Sequence, residues 1–359
     1  MNCEFIGKNT LEHLPEILNA EKPRKILVFT GKKSFEKLKP EIEKTLQKFT
    51  NNITFFNDFS NNPKAKEVKA ACDKLGNDFD FIIAIGGGSV IDFAKLYKFS
   101  VDNDSDVESF FKKPFACKKK RKMLAIPTTA GTGAENTRFA VVYIDGVKHS
   151  LDDDTILPDY KIADSNLVKA APAYLKACCG ADAFAQAVES FWAVGADETS
   201  RKYAEKAIIL CKNHLKDFVL LDDDEAAQKI TEASFLAGKA INISKTTAAH
   251  AISYPFTSVF SLPHGHAVAL SLGKLAEYNF RHAEEFGVTP VMARLSELLE
   301  TTDFAKFFKT FFDEIELETD FKKLGITDFS RVLPLIDKGR LQNNPVKLRD
   351  DFFAELFGA

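Results

Sequence analysis

The sequence predicts an α/β domain wound on a mostly parallel sheet, followed by an all-α domain. Over the first half, short apolar runs alternate with amphipathic stretches, the β-α-β-α order that builds a parallel sheet covered by helices. From about Asn166 the apolar spacing becomes helical and β-rich runs almost vanish. At 359 residues the chain is long for one hydrophobic core, so two domains are expected, 1–165 and 166–359.

Lys25–Thr30 (KILVFT) is rich in β-formers and is followed by Gly31 and the helical pattern SFEKLKPEIEKTLQKF. Asn52–Phe56 reads as the next strand, and Lys64–Leu75 as a helix after a polar Asn-Pro loop. Phe79–Ile85 (FDFIIAI) is continuously apolar, as expected of a strand buried on both faces. It ends in Gly86-Gly87-Gly88-Ser89 and leads into another helix, VIDFAKLYKFS. Met123–Pro127 is a further strand, and AVVYIDG with KHSLDD reads as an antiparallel ribbon. Helices are expected near 173–195, 197–219, 223–243, 245–258 and 266–285, with more to the end. In FAKFFKTFFDE the aromatic side chains at helical spacing read as core packing.

A net charge of −3 gives no reason to expect nucleic acid or an anionic membrane as partner. The basic run Lys118–Lys122 reads as a solvated loop before a strand. Six cysteines show no CxxC and no regular spacing, which fits reduced thiols better than a disulfide framework. No signal pattern opens the sequence, and no stretch approaches the about 18 apolar residues of a membrane helix. A soluble, cytoplasmic protein is the expectation.

Three elements carry chemistry. Gly86–Ser89 joins a buried strand to a helix, where glycines admit a pyrophosphate to the backbone and the helix N-terminus supplies N–H donors. Asp92 and Lys95 follow on that helix and read as a surface pair. Pro127–Glu135 (PTTAGTGAE) gathers three hydroxyls and two glycines in a loop that can wrap a phosphate or ribose. Asp182 and Gln186 lie one helical turn apart, with His250 and His264 downstream. A carboxylate with imidazoles suits Zn²⁺ or Fe²⁺ better than Mg²⁺ or Ca²⁺. His13, His214 and His282 read as core or exposed residues.

GGGSVIDFAK, PTTAGTGAE, GADAFAQAVESFW and SLPHGHAVA resemble, in order and spacing, the iron-containing (group III) alcohol dehydrogenases over roughly residues 1–290. The resemblance implies a dehydroquinate synthase-like architecture, with metal and substrate in a cleft between a dinucleotide-binding domain and a helical domain. It implies an NAD(P)-dependent alcohol dehydrogenase or aldehyde reductase working beside Fe²⁺ or Zn²⁺. Gly86, Gly87, Gly88, Ser89 and Asp92 then fall at the pyrophosphate, Thr128, Thr129 and Thr132 on the nicotinamide-ribose side, and Lys148 near the cofactor. Asp182, His250 and His264 match three metal ligands.

Two positions depart from the family pattern. Its DxxxH pair reads Asp182…Gln186 here, and Tyr254 stands where many members carry a proton-relaying histidine, leaving His266 as the nearest replacement. Gly31 occupies the place of an aspartate that would repel a 2′-phosphate, with Lys32, Lys33 and Ser34 next, so NADP(H) is expected over NAD(H). The closest branch looks like the phosphonoacetaldehyde reductases, whose product is 2-hydroxyethylphosphonate. Arg138 and Lys245 are the candidate cations for such an anionic substrate. The alternatives are a sugar-acid primary-alcohol oxidase of the same family and a dehydroquinate-synthase-like cyclase. By family analogy the protein is a homodimer, paired through its N-terminal strand.

Overall fold

The computed structural model describes residues 3–336 and 338–358; the side chains of Lys33, Ser34 and Lys338 lie outside the described part. The chain divides into two compact units, one holding residues up to Val168 except Ala130–Gly133, the other holding those four residues and everything from Lys169 onward.

The first unit is built on strands β1 (Glu4–Gly7), β2 (Ile26–Thr30), β3 (Ile53–Phe56), β4 (Phe81–Gly86), β5 (Lys122–Pro127) and β8 (Tyr160–Asp164). They form one sheet in the order β1-β8-β5-β4-β2-β3, and every neighbouring pair is parallel. Side chains alternate along each strand, so one apolar run feeds two cores. Leu27, Phe29, Ile82, Ala84, Met123 and Ala125 enter one cluster. Ile26, Val28, Phe81, Ile83, Leu124 and Ile126 enter the other. That division is why Ile26–Phe29 and Phe81–Ile85 carry no polar face.

Strands β6 (Phe139–Ile144) and β7 (Val147–Asp152) make the antiparallel ribbon. The segment SFEKLKPEIEKTLQKF breaks into helices Lys32–Phe35 and Lys39–Leu46 instead of running through. Pro40 causes the break: without an N–H it opens a helix and cannot continue one. Strand β8 was not expected, because Lys161 and Asp164 interrupt its apolar pattern; both are buried, and Asp164 accepts from the backbone N–H groups of Asn9, Leu11 and Asn166.

The second unit is helical, with Ala173–Trp192, Glu198–Leu220, Asp224–Ser244, Ala248–Phe260 and His264–Arg281 as its long elements. Asp197 and Asp223 each cap the helix that follows by accepting from its first turn. Ala173–Trp192 is buried on almost every face and packs against Glu198–Leu220, Asp224–Ser244 and His264–Arg281. Such close quarters need small residues: a Cβ on Gly180 would strike the Leu215 side chain at 2.1 Å. None of the six cysteines is in a disulfide, and among the described residues no helix is long and apolar enough to cross a membrane.

Candidate metal centre and nucleotide cradle

In the helical unit, Asp182 from Ala173–Trp192, His250 from Ala248–Phe260 and His264 at the start of His264–Arg281 converge. One ligand atom of each lies within 4.8 Å of the other two. His250 Nε2 is 3.2 Å from Asp182 Oδ1. Gly265 makes this approach possible. A Cβ there would sit 1.9 Å from the Cys178 carbonyl oxygen and 2.9 Å from Asp182 Cβ, so only glycine lets the helix bearing His264 begin against Asp182.

Glu189 completes the cluster and was missed in the sequence. It stands seven residues after Asp182, two turns along the same helix face, and that spacing was the available signal. It is fully buried. One oxygen accepts from His250 Nδ1. The other accepts from Thr247 Oγ1 and Ala249 N, each at 2.7 Å, while Trp192 Nε1 donates to Thr247 Oγ1 at 3.0 Å. With Nδ1 donating to Glu189, Nε2 is the nitrogen that faces Asp182 and that a metal would take once its proton is lost. Burial opposes a charge on His250, but Glu189 and Asp182 outweigh it and lift the imidazole to about 9. Burial likewise raises Asp182, yet the His250 hydrogen bond and the nearby imidazoles win and hold its carboxyl below the usual range.

Gln186 is buried one turn beyond Asp182. Its Nε2 donates to the Thr132 carbonyl at 3.3 Å, and its Oε1 has no hydrogen-bond partner. A buried acceptor left unpaired costs about 1–3 kcal/mol. The carboxylate and the two imidazoles form a donor set that fits a divalent transition metal, with the unpaired Gln186 amide oxygen one helical turn from the carboxylate.

Tyr254 stacks on His264, ring centroids 6.1 Å apart and planes 27° apart. His266 is placed otherwise than expected. Its Nδ1 meets Tyr174 Oη at 2.9 Å and its Nε2 meets the Glu318 carbonyl at 2.6 Å, so both ring nitrogens are engaged within the protein. Arg138 is corrected too: its guanidinium is bound by Asp152 at 2.8 Å and Asp154 at 3.2 Å, which neutralise the charge expected to meet a substrate. Lys245 is exposed and left-handed, with φ 61°, just past Asp224–Ser244.

In the first unit, Gly86 ends β4, Gly87 is the extended N-cap, and the helix Gly88–Asn103 begins at once. Thr128 N donates to the Gly86 carbonyl at 3.0 Å, and a Cβ on Gly87 would lie 3.4 Å from Thr129 Oγ1, so the two loops run side by side at the carboxyl ends of β4 and β5. Gly31 joins them from the end of β2, its N–H donating to the Ile85 carbonyl at 3.3 Å, with Lys32 exposed beside it; the Ser34 side chain lies outside the described residues. Ser89 Oγ accepts from Asn62 N at 3.4 Å. Asp92 accepts from Val141 N at 3.0 Å and feels the charge of Lys148 on β7.

Lys95 is no surface residue. It is fully buried and donates to the carbonyls of Ala134, Thr137 and Phe139 at 2.6–2.8 Å, pinning the far end of the PTTAGTGAE loop. Thr132 groups with the helical unit, beside Gln186, whereas Thr128 and Thr129 stay with the sheet. There Gly131 abuts Cys179 and Gly133 abuts Gly238, each close enough that a Cβ would clash.

Residues 4–165 match the family model described as iron-containing alcohol dehydrogenase, and residues 176–356 match that of the C-terminal part of the same family. The NADPH-dependent butanol dehydrogenase of Clostridium saccharobutylicum is 30% identical over 297 residues, 77% of this chain and 76% of that protein. The phosphonoacetaldehyde reductase of Streptomyces viridochromogenes is 32% identical over 213 residues, 56% of this chain and 53% of that one. The crystal structure of sulfoacetaldehyde reductase from Bifidobacterium kashiwanohense in complex with NAD⁺ superposes with a TM-score of 0.86 at 27% identity, covering 99% of this chain and 96% of that one. With both of its units matched, the chain belongs to the iron-containing alcohol dehydrogenases, NAD(P)-dependent oxidoreductases that interconvert alcohols and aldehydes.

Proposed function

We propose that this chain reduces short aldehydes bearing an acid group, phosphonoacetaldehyde foremost, to the corresponding alcohol, here 2-hydroxyethylphosphonate. The observation that carries the metal-assisted reading is the convergence of Asp182, His250 and His264 within 4.8 Å. The substrate class is supported by the likeness to proteins named phosphonoacetaldehyde reductase and sulfoacetaldehyde reductase.

When bound, a divalent ion supplies Lewis acidity toward a carbonyl oxygen and the nicotinamide supplies the hydride. Asp182, His250 and His264 would hold the ion, Gln186 would be a weak fourth donor, and Glu189 would keep His250 in the ligating tautomer. Tyr254 Oη, whose ring covers His264, passes the proton to the product oxygen in place of a histidine. The unobstructed backbone of Gly86–Gly88, Ser89 and the helix N-terminus seat the pyrophosphate, with Thr128 and Thr129 alongside and Asp92 and Lys148 behind. Gly31 and Lys32 favour NADPH. In the same reading, edge strand β1 pairs two copies into a homodimer.

An aldehyde panel followed by NADPH and NADH absorbance, with Fe²⁺, Zn²⁺ or no added metal, tests the proposal. Metal-dependent NADPH consumption with phosphonoacetaldehyde is expected. Asp182→Ala and His264→Ala should abolish it while nucleotide binding, read by fluorescence titration, survives. Full activity in either variant, or no net cofactor consumption with any aldehyde, overturns the reading.

A further inference from the structure

Thr247 stands at the N-cap of the helix Ala248–Phe260, where a threonine hydroxyl ordinarily accepts from an N–H group of the helix's own first turn. Here its side chain makes no such bond. Glu189, from the helix Ala173–Trp192, takes over that role: one carboxylate oxygen accepts from Ala249 N at 2.7 Å and from His250 N at 3.4 Å. A carboxylate suits that place, because a helix N-terminus carries partial positive charge. The Thr247 hydroxyl turns across to the same oxygen instead, 2.7 Å away.

The direction of each hydrogen bond follows from one end of the chain of contacts. An indole N–H can only donate, so Thr247 Oγ1 accepts from Trp192 Nε1 at 3.0 Å. The threonine has one hydroxyl proton, and it goes to Glu189. The second Glu189 oxygen accepts from His250 Nδ1, and His250 Nε2 faces Asp182. Trp192, the single tryptophan of the sequence, is buried, as are Thr247 and Glu189, so water offers none of them a substitute partner. Away from water such bonds strengthen, and bonds running in one direction polarise one another. Glu189 and Trp192 lie three positions apart on one helix, and Thr247 and His250 three apart at the start of the other, so two facing stripes carry the whole series.

We propose that Thr247, held by Trp192, is a positioning residue for the metal centre: its hydroxyl fixes the Glu189 carboxylate, and Glu189 fixes the ring of His250. This rests on the metal-assisted reading, in which His250 is a ligand. Thr247 and Trp192 act through Glu189 and not on the ion or the substrate. Without the hydroxyl, the carboxylate keeps the backbone N–H groups of Ala249 and His250 but loses the side chain that ties it to Trp192. The imidazole it orients is then less firmly set toward Asp182.

The test measures Zn²⁺ affinity by competition with graded chelator, on the full chain, for wild type, Thr247→Val, Thr247→Ser and Trp192→Phe. Thr247→Val keeps the branched shape and removes the hydroxyl. Its affinity should fall roughly 10-fold, the lower end of what losing an outer hydrogen-bond partner costs a metal site. Thr247→Ser restores the hydroxyl and should stay within about threefold of wild type. Trp192→Phe leaves the hydroxyl without its anchor and should fall between the two. The rise in Tm that Zn²⁺ brings separates positioning from packing. That rise should shrink in Thr247→Val in step with the affinity, whereas a residue that only packs would lower Tm equally with and without zinc. Unchanged affinity in Thr247→Val or in Trp192→Phe, or a loss in Thr247→Ser equal to that in Thr247→Val, would overturn the assignment while the metal reading stands. If Thr247→Val does not fold, Trp192→Phe decides by the same criterion. A wild type that binds neither Zn²⁺ nor Fe²⁺ overturns the metal reading, and the assignment with it.

Discussion

Glu189 holds His250 from behind: one carboxylate oxygen accepts from Nδ1 while the opposite nitrogen, Nε2, faces Asp182 Oδ1 at 3.2 Å. The same carboxylate takes the Thr247 hydroxyl and the Ala249 N–H, so it orients the imidazole and the start of its helix together. Glu189→Gln keeps the shape and removes the charge. Metal affinity should fall by roughly 10- to 100-fold, read as metal retained against graded chelator. Unchanged retention would show that Glu189 serves packing alone.

Gln186 points an unpartnered amide oxygen into its buried surroundings one turn from Asp182. An imidazole is a stronger donor to Fe²⁺ or Zn²⁺ than an amide. Gln186→His should therefore slow metal loss on dialysis, measured by elemental analysis. Equal or faster loss would place this side chain outside the coordination sphere.

Gly265→Ala tests the contact between the helices bearing Asp182 and His264. The new methyl would meet the Cys178 carbonyl oxygen at 1.9 Å, a backbone atom that cannot turn aside. Overpacking of this kind costs about 1–3 kcal/mol, and the displaced His264 should lower metal content as well. Gly87→Ala is the control for stability, since its nearest neighbour, Thr129 Oγ1, is 3.4 Å away. Similar urea midpoints for the two variants would contradict the packing argument.

Cofactor choice should turn on Gly31. Gly31→Asp places a carboxylate at the end of β2, where it accepts from ribose hydroxyls and repels a 2′-phosphate. The wild type should prefer NADPH in kcat/KM, and the variant should shift toward NADH. A wild-type preference for NADH that the substitution leaves unchanged would show that this loop does not read the 2′ position.

Glu135 gives a pH signature. Desolvation lifts its carboxyl from 4.5 to about 7 against the pull of its own backbone N–H and of Lys95. Because the folded value lies above the unfolded one, the folded chain binds the extra proton between them, and stability falls as pH rises through that window before levelling above it. Glu135→Gln should remove the slope, raising Tm relative to wild type at pH 8 and leaving it nearly unchanged at pH 4.5. Parallel Tm profiles for the two proteins would refute the buried-acid assignment.

Local pattern by itself determined the strands Ile26–Thr30, Phe81–Gly86 and Lys122–Pro127, because unbroken apolar runs suit only strands buried on both faces. It determined the helical second half through periodicity. It also placed Asp182 and Gln186 on one helix face through their four-residue spacing. Tertiary structure alone decided the rest. Glu189 reaches His250 across 61 positions and Tyr174 reaches His266 across 92, so no local window contains either pair. Strand β8 hides its identity behind Lys161 and Asp164, polar residues that only the fold can bury and satisfy. The fate of Arg138, bound to Asp152 and Asp154, follows from which groups packing brings within reach of a guanidinium, because residue type establishes a charge but only the folded chain establishes what that charge meets.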